Sequence, residues 1–503
     1  ISKKQNYFPI HKLISGDCSL RTKIQHSKNI VKIVNKQSYS VYNVLLKNNK
    51  SVSSFFKYSP IIEPLKYSIG KYKHLNVSDL PNPDKLSNID ELNDTNNLAY
   101  IDNFFYYLTS ILLNEYGFLH GIDYYDSFMG IVNKFKYNIS EEIDTLICNK
   151  YFKENHSKLF NIENTDIPIE KKPRINIENN INLEDVIELE DNINENSSTK
   201  SSHVELLYNN SECESSEYSD SDTDSDISFS GDSDSTYSYS DDSDESEIDE
   251  NEIYLTINDF PCQVICLENL EGTFDSLVED DVLSEKEWKS ALFQTLMILI
   301  TYQKIFDFTH NDLHSNNIMY NYTDKEFLYY KFNNDYYKVP TFNRIYKIID
   351  FGRSIYKYNN NVFFSNSFSK GGDASSQYNC EPYYNPNKPI VKPNKSFDVS
   401  RLACSLFDYF YEDVNDTHNK SDVAKLINKW TLDDNNKNIL YKRDNTERYP
   451  DFKLYKMISR IVNNLLPEDL IHDKIFKNFH VFKTQIKANK LMDIDSYPVM
   501  YEC

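Results

Sequence analysis

The length, composition and charge of the chain limit the kinds of protein it can be. Its 503 residues, 40% of them hydrophobic, can form two or more domains, or one large domain with insertions. The formal net charge of −23 argues against a nucleic-acid partner, which would require a basic face. The longest apolar stretch, residues 291–300, is too short to span a bilayer, so we expect no membrane partner. The eight Cys form no C-x-x-C pair, which favours a reducing, intracellular compartment.

The first part of the chain predicts a β-rich unit with one long helix. Residues 30–34, 39–46 and 52–58 alternate between apolar and polar side chains, as strands do. Residues 99–114 carry apolar side chains at helical spacing and predict a buried helix. Residues 118–132 then indicate further strand structure.

A change of composition interrupts this unit. Between Glu212 and Glu252 there are 17 carboxylates and no Lys or Arg, interleaved with Ser. Such a segment buries too little apolar surface to offset the entropy of ordering it, so we predict a disordered insertion over residues 161–251. It is either a solvated spacer or, because carboxylates surround each Ser, a target of phosphorylation. A role as an internal pseudosubstrate or a docking tail for partners is a further hypothesis.

Ordered structure is predicted to resume at Glu252. Residues 264–267 indicate a buried strand, and residues 268–273 a loop. Ser284 and Glu287 then match a capping box, which predicts the start of a long apolar helix that ends near Phe308.

The residues directly after this helix carry the strongest chemical signal. His310, Asp312 and Asn317 fit the pattern His-x-Asp-Leu-x-x-x-Asn of a kinase catalytic loop. Phosphoryl transfer needs a group that orients the accepting hydroxyl, together with ligands for Mg²⁺. Asp312 is therefore the candidate catalytic base, and Asn317 is a candidate metal ligand.

A second motif, Asp350-Phe351-Gly352, ends a short apolar segment that we predict to be a strand. A carboxylate at the end of a strand is a candidate Mg²⁺ ligand, and Gly352 would let the chain turn away from the metal. Because the two motifs occur together and in this order after a helix, they indicate phosphoryl transfer much more strongly than either motif alone.

On these motifs the chain resembles the eukaryotic-type protein kinase superfamily, and it is most similar to the divergent serine/threonine-kinase-like proteins of giant DNA viruses. The resemblance implies ATP and Mg²⁺ as cofactors, an unidentified protein substrate, and a location in the host cytoplasm or the virion if the protein is viral. It implies that Asp398 braces the backbone of the catalytic loop, with His310 and Phe351 as structural support. An Asp at position 398 could equally be a helix N-cap.

The resemblance also implies roles for residues outside the two motifs. The backbone around Glu268 and Leu270 would form the hinge that holds adenine. Arg448 is similar to a late Arg that pairs with a Glu at the end of the activation segment, and Glu381 is the candidate for that Glu.

The resemblance further implies a phosphate-binding Lys on the third strand, paired with an acidic residue on the following helix. Lys57 is the candidate for this cation, with Lys66 as the alternative. Asp102 is the candidate partner, since the predicted helix offers only Asp102 and the late Glu115.

Several positions depart from the family pattern. None of the 10 Gly belongs to a G-x-G-x-x-G motif, and the expected phosphate-covering turn at residues 35–38 contains no Gly, so it would fit phosphates less closely. Asn311 stands where an Arg usually precedes the catalytic Asp, which predicts no switch by activation-loop phosphorylation. His314, a further catalytic candidate, replaces the usual Lys and makes the motif similar also to that of aminoglycoside- and choline-type kinases. Residues 324–343 predict an extended hairpin between the motifs.

We therefore predict an α+β, bilobal protein-kinase-like fold that phosphorylates Ser or Thr of proteins. Asp398 favours this function, His314 favours the alternative of a small-molecule phosphotransferase, and the Gly-free turn favours a catalytically weak pseudokinase scaffold. The predicted units are an N-terminal extension (1–28), the first part of the small lobe (29–160), the acidic insertion (161–251), the last small-lobe strand and hinge (252–283), the large lobe (284–485) and a C-terminal tail (486–503).

Overall fold

The computed structural model describes residues 1–10, 13, 28–163, 252–416, 420–486 and 491–502. The predicted insertion lies outside the described residues from position 164 to position 251. The strands are β1 (Ser2–Gln5), β2 (Ile30–Lys36), β3 (Val41–Leu46), β4 (Ser51–Pro60), β5 (Tyr124–Asn138), β6 (Phe160–Glu163), β7 (Tyr254–Glu268), β8 (Gly272–Thr273), β9 (Ile318–Tyr322), β10 (Phe327–Phe332), β11 (Asp335–Pro340), β12 (Arg344–Ile348), β13 (Ile355–Tyr358), β14 (Asn361–Phe364), β15 (His480–Val481) and β16 (Leu491–Asp493). The α-helices are α1 (Pro64–Ser68), α2 (Asp90–Asn93), α3 (Leu98–Tyr116), α4 (Ile143–Leu146), α5 (Lys150–Asn155), α6 (Phe274–Glu279), α7 (Glu285–Phe306), α8 (Phe397–Phe410), α9 (Asp422–Trp430), α10 (Lys453–Ile461) and α11 (Pro467–Leu470).

A seven-stranded antiparallel sheet contains the predicted N-terminal strands. Its order is β1-β5-β7-β4-β3-β2, and β6 also pairs with β7. Strand β7 is central because β5 pairs along nearly its whole length, while β4 pairs with its C-terminal part and β6 with its N-terminal part. The three predicted strands are confirmed as β2, β3 and β4, and the predicted buried strand is confirmed as part of β7.

Helix α3 packs against β5 and β7 of this sheet and confirms the helix predicted over residues 99–114. The side chain of Asn97 accepts a hydrogen bond from the backbone N–H of Ala99 and caps its first turn. Gly117, with a φ of 69°, ends the helix in the left-handed conformation, which Gly adopts at little cost. Most of the helix is buried, including the acidic Asp102, which brings this carboxylate to the inside of the protein.

Helix α7 is the centre of the helix-rich part. Ser284 and Glu287 form the predicted capping box, and the helix ends at Phe306, with Asp307 in the left-handed conformation. The helix packs against β11, β12 and β13 and against helices α9 and α11. Nearly all residues from Trp288 onward are buried, which explains why its sequence is apolar on all sides.

The predicted extended hairpin is confirmed and belongs to a second sheet. Strands β10 and β11 pair directly, and the order of the four-stranded sheet is β15-β11-β10-β16. A three-stranded sheet has the order β12-β9-β8, and β13 and β14 form a two-stranded sheet. Strand β9 directly follows the first predicted motif, and the second motif lies between β12 and β13.

Both ends of the described chain take part in the sheets, although the sequence predicted an extension and a tail there. Strand β1 pairs with β5, and β16 pairs in parallel with β10. Both strands are short, and β1 has the polar sequence Ser-Lys-Lys-Gln, so neither shows the alternation that reveals a strand. The boundaries predicted at residues 28 and 486 therefore separate segments that the structure joins.

Tight turns in this fold rely on Asn and Asp. Among the described residues, 18 non-glycine residues have a positive φ, and 14 of these are Asn or Asp, compared with three Gly. Asn and Asp tolerate the left-handed conformation better than other non-glycine residues.

The predicted α+β class is confirmed by these sheets and helices. Within the part of the chain that the structure describes, no helix is both long enough and apolar enough to cross a membrane.

Candidate functional site

The segment from His310 to Asn317 is held in place by a buried carboxylate. Asp398, in the first turn of α8, accepts hydrogen bonds from the backbone N–H of His310 through Oδ2 and of Asn311 through Oδ1, both at 2.9 Å. Burial raises the pKa of Asp398, whereas His310 and the two backbone donors favour its charged form. The N-cap of α8 is Ser396, so Asp398 has the bracing position that the resemblance implied and not the capping position.

His310 and Phe351 connect the two motifs. Nε2 of His310 lies 2.8 Å from the backbone oxygen of Ile349, directly before the second motif. The ring of Phe351 lies between α3 and α7, with centroid distances of 4.6 Å to Phe105 and 6.4 Å to Tyr302. The aromatic contacts thus fix the second motif against both long helices.

Asp312 lies between two donors that the sequence did not indicate. Its Oδ1 accepts a hydrogen bond of 2.8 Å from the Tyr455 hydroxyl, and its Oδ2 lies 3.2 Å from Nη1 of Arg353. Burial disfavours the charged form, but Arg353, His314 and Arg401 outweigh burial and lower the pKa of Asp312 to about 2. The carboxylate is therefore ionised throughout the physiological pH range and free to accept a hydrogen bond from a hydroxyl group.

Asn317 is the last residue of the 3₁₀ turn Ser315–Asn317, and its side-chain amide contacts Asp312. Its Nδ2 donates to the backbone oxygen of Asp312 at 2.8 Å and lies 3.0 Å from Nε2 of His314. These contacts occupy the amide nitrogen and leave Oδ1 as a possible ligand. His314 is buried, and its contact with the site runs through Asn317.

Asp350 has an unusual backbone conformation, with a φ of 60°. Its N–H donates to the Tyr106 hydroxyl at 2.9 Å, and its Oδ1 accepts from Nζ of Lys57 at 3.0 Å. The turn predicted at Gly352 is therefore made at Asp350, since Gly352 is not among the residues with positive φ. A Cβ at Gly352 would lie 3.4 Å from Leu98 and 3.5 Å from Oδ1 of Asp350, which are ordinary contact distances, so neither its backbone conformation nor its packing explains the Gly.

Lys57, on β4, and Asp102, on α3, form an ion pair of 2.8 Å inside the protein. Their side chains are only 3% and 1% exposed. Asp102 also accepts a hydrogen bond of 2.8 Å from the backbone N–H of Phe351. Burial raises the pKa of Asp102, Lys57 opposes this shift and Asp350 supports it, and together they give a pKa of about 6.

The alternative cation, Lys66, lies elsewhere. It forms an ion pair with Glu63 and donates to the backbone oxygen of Gly371 at 3.3 Å. The structure therefore selects Lys57 over Lys66 as the cation beside Asp102 and Asp350.

The side chain of Glu268, in the segment expected to form the hinge, is bound within the protein. The Glu268 carboxylate forms an ion pair with Lys347 and accepts 2.8 Å hydrogen bonds from the side chain of Asn321 and the backbone N–H of Asp123. Glu268 therefore has only its backbone to offer to a ligand, which is the role that the resemblance implied. Leu270 is half-buried against the core.

The loop predicted over residues 268–273 and the pairing of Arg448 differ from expectation. Gly272–Thr273 forms strand β8, which pairs with β9. Arg448 donates to the backbone oxygens of Asn438 at 2.7 Å and Tyr441 at 3.2 Å, so it does not meet Glu381. A turn with polar carbonyl groups satisfies this guanidinium locally.

Three functional candidates were missed at the sequence level. Arg353 joins Asp312 to Asp373, to which it donates at 2.7 Å. Tyr455 and Tyr106 hold Asp312 and the backbone of Asp350. Arg353 could have been found because it directly follows the second motif, whereas nothing in the sequence connects Tyr455 to a residue 143 positions earlier.

A cleft of about 1600 Å³ opens beside Asp312. Arg353 and Tyr455, the two side chains that hold this carboxylate, line it, together with residues of the segment 370–391 and of α10. A volume of this size accommodates an extended peptide as well as small molecules.

The oxygen ligands around Asp350 are too few to hold a metal ion alone, but they fit an ion that is also bound by a ligand. Within the described ranges, no group of three or more His, Cys, Asp and Glu side chains is placed to hold a metal ion alone. Asp350 and Asn317 supply two oxygens, which matches Mg²⁺ bound through few protein ligands and the phosphates of a substrate. No protein-family model matches the chain, and a search of curated proteins found no match either.

Proposed function

We propose that the chain is a bilobal protein-kinase-like phosphotransferase that moves the γ-phosphoryl group of ATP to Ser or Thr of protein substrates. The small lobe would comprise the seven-stranded sheet with α3, and the large lobe the helix-rich part. The single observation that carries the proposal is the buried contact of Lys57 with both Asp102 and Asp350. It joins three residues that are far apart in the sequence and that the resemblance had assigned to one phosphate site.

In this proposal each residue has a limited task, because phosphoryl transfer depends on positioning and electrostatics. Asp312 orients the acceptor hydroxyl and receives its proton, with Arg353 and Tyr455 fixing the carboxylate. Asn317 and Asp350 hold Mg²⁺, which, when bound, neutralises charge on the phosphates. Lys57 places a cation beside Asp350, and Asp398 fixes the backbone that carries Asp312.

The wide cleft beside Asp312 supports a protein substrate over a small molecule. His314, which suggested the small-molecule alternative, is buried and bonded to Asn317, so it is poorly placed to recognise an acceptor. A weakly active scaffold is the second candidate, because Arg353 and Tyr455 occupy both oxygens of Asp312. The turn between β2 and β3 also lacks Gly.

The test is transfer of label from ATP in the presence of Mg²⁺ and mixed protein and small-molecule acceptors. We expect Asp312→Asn and Asp350→Ala to reduce incorporation by roughly 100-fold or more. Asp324→Asn, a change at an exposed Asp outside the site, is the matched control and should retain full activity.

Equal incorporation by the wild type and both site variants would contradict the proposal. Binding of ATP without transfer in the wild type would favour the scaffold. Transfer only to small molecules would favour the alternative enzyme class.

A further inference from the structure

Three of the cations that line the cleft form a group around Lys456. Lys456 and Arg460 lie one turn apart on α10, and Lys388 belongs to the segment 370–391. None of the three forms an ion pair with a carboxylate of the described residues. Burial lowers the pKa of Lys456, and the charges of Arg460 and Lys388 lower it further. We call these three residues the basic cluster.

An ordinary surface of this protein would not concentrate uncompensated positive charge. The chain as a whole has a net charge of −23, and several of its buried or half-buried cations, among them Lys57, Lys347 and Arg353, are paired with carboxylates. Mutual repulsion of the basic cluster is relieved when an anionic ligand binds. The cluster therefore indicates an acidic ligand for the cleft.

The cluster is connected to the candidate catalytic residue. Tyr455 directly precedes Lys456 on α10, and its hydroxyl donates to Asp312. The side chains of Tyr455 and Lys456 both line the cleft. A peptide whose hydroxyl approaches Asp312 would therefore present its neighbouring residues to the basic cluster.

The acidic run of the same chain returns to the fold next to this cleft. The N–H of Ile253 donates to Oγ of Ser140 at 2.9 Å, and Glu142, two residues further along, lines the cleft. Ser243 lies ten residues before Ile253, and ten extended residues span up to roughly 33–36 Å. Further Ser residues occur earlier in the run, as far back as Ser215, and each is joined to Ile253 by a longer stretch of chain. The length of the chain therefore allows Ser residues of the run to reach the cluster.

We infer that the basic cluster docks the chain's own Ser- and Asp-rich run, residues 212–252, and that Ser residues of this run are phosphorylated at Asp312 in the same molecule. The inference rests on the proposed function. In the reaction, Oγ of the Ser forms a bond to the γ-phosphorus of ATP as the bond to the β–γ bridging oxygen breaks. ADP leaves with that electron pair, and the hydroxyl proton passes to Asp312.

The experiment uses the full-length protein after treatment with, and removal of, a phosphatase. MgATP is added, phosphorylated residues are mapped by mass spectrometry, and the rate per molecule is followed over a wide range of protein concentration. A peptide of residues 240–247 is offered separately, beside a counterpart with Asn and Gln in place of Asp and Glu.

Two variants test the cluster. Lys388→Glu changes an exposed side chain without hydrogen bonds among the described residues, so it should fold normally. The triple variant Lys388→Gln, Lys456→Gln, Arg460→Gln removes the whole charge. Lys47→Glu, an exposed Lys between β3 and β4, is the matched control.

We expect phosphorylation of Ser residues within 212–252, and we expect the rate per molecule to be independent of protein concentration. We expect the KM for the acidic peptide to rise about tenfold in both cluster variants and to stay unchanged in the control, with the neutral peptide unaffected. One outcome would overturn the inference but not the proposed function. In it, the neutral peptide is phosphorylated in a reaction that depends on Asp312, and either the acidic peptide is not preferred or Lys388→Glu has no effect. A rate per molecule that rises in proportion to protein concentration would overturn docking within one molecule. Absence of all transfer would refute the proposed function itself.

Discussion

Buried charge is the main feature of the site at the scale of single residues. Lys57 contacts two carboxylates, those of Asp102 and Asp350, so one cation serves two anions in a place from which water is largely excluded. Buried ions are tolerated only when they are paired and hydrogen-bonded. Here the backbone N–H of Phe351 supplies a further donor to Asp102, and the arrangement depends on every member.

Removal of the cation should therefore be costly. We expect Lys57→Met to lower the free energy of unfolding by about 3 kcal/mol at neutral pH, because both carboxylates lose their counter-charge. Urea denaturation measures the change, and Lys32→Met, at an exposed position of β2, serves as control. A loss no larger than that of the control would show that the buried charges are compensated in another way.

The raised pKa of Asp102 makes a prediction with a definite sign. Burial raises this pKa to about 6, whereas an Asp of an unfolded chain titrates near about 3.9. A group with a raised folded-state pKa contributes its full stability below the unfolded pKa and loses it as the pH rises through the folded pKa.

The wild type should accordingly lose about 1–3 kcal/mol of unfolding free energy between about pH 4 and pH 7, relative to Asp102→Asn. Parallel denaturation experiments across this range give the difference. If the difference had the opposite sign, Lys57 would dominate over burial in setting the pKa of Asp102.

Elements differ in how visible they are in the sequence. Strands β2, β3 and β4 alternate regularly, and α7 carries both a capping box and a continuous apolar run, so local rules are sufficient to predict them. The candidate pair of Lys57 and Asp102 followed from the kinase resemblance, which implied a cation on the third of these strands and an acidic partner on the next helix. Strands β1, β8 and β16 have two to four residues and depend on partners elsewhere, as does the contact of Tyr455 with Asp312. These features arise from tertiary packing, which no local pattern contains.

The contact between the β10–β11 hairpin and the C-terminal segment gives a prediction at the scale of elements. The carboxylate of Asp495 accepts hydrogen bonds from the backbone N–H groups of Asn333 and Asn334, at 2.8 and 3.0 Å. Both Asn residues are left-handed, and their turn joins the two strands.

We expect Asp495→Ala to lower the unfolding free energy by about 1–2 kcal/mol, since two backbone donors lose a charged acceptor. Chemical denaturation measures the effect, with Glu502→Ala, at an exposed residue near the end of the described chain, as control. Equal stability of both variants would mean that water replaces the carboxylate fully.

At the scale of the whole molecule, the ends of the undescribed central segment are neighbours. Glu163 of β6 pairs with Tyr254 of β7, so the chain leaves and re-enters the fold at one point of the sheet. Most of the formal charge of the chain lies in this segment, whereas the core is built from the residues on either side of it.

Replacement of residues 164–251 by a short Gly–Ser linker should therefore leave the fold intact. We expect a change in Tm of less than about 1 °C, corresponding to less than about 1 kcal/mol for a fold of this size. Differential scanning calorimetry compares the two proteins, and a linker of the same length inserted into the β10–β11 turn is the control that should destabilise. A large loss of Tm in the replacement itself would show that the segment contributes to the core.

The Asn and Asp residues in left-handed turns also influence the unfolded chain. Gly at such a position is free of strain in the folded protein, but it gives the unfolded chain additional conformations that folding must remove. Asn and Asp reverse this balance, with slight strain after folding and less freedom before it. A protein with only 10 Gly thus forms many sharp turns while losing less conformational entropy at each, and part of its stability originates in the restricted state from which it folds.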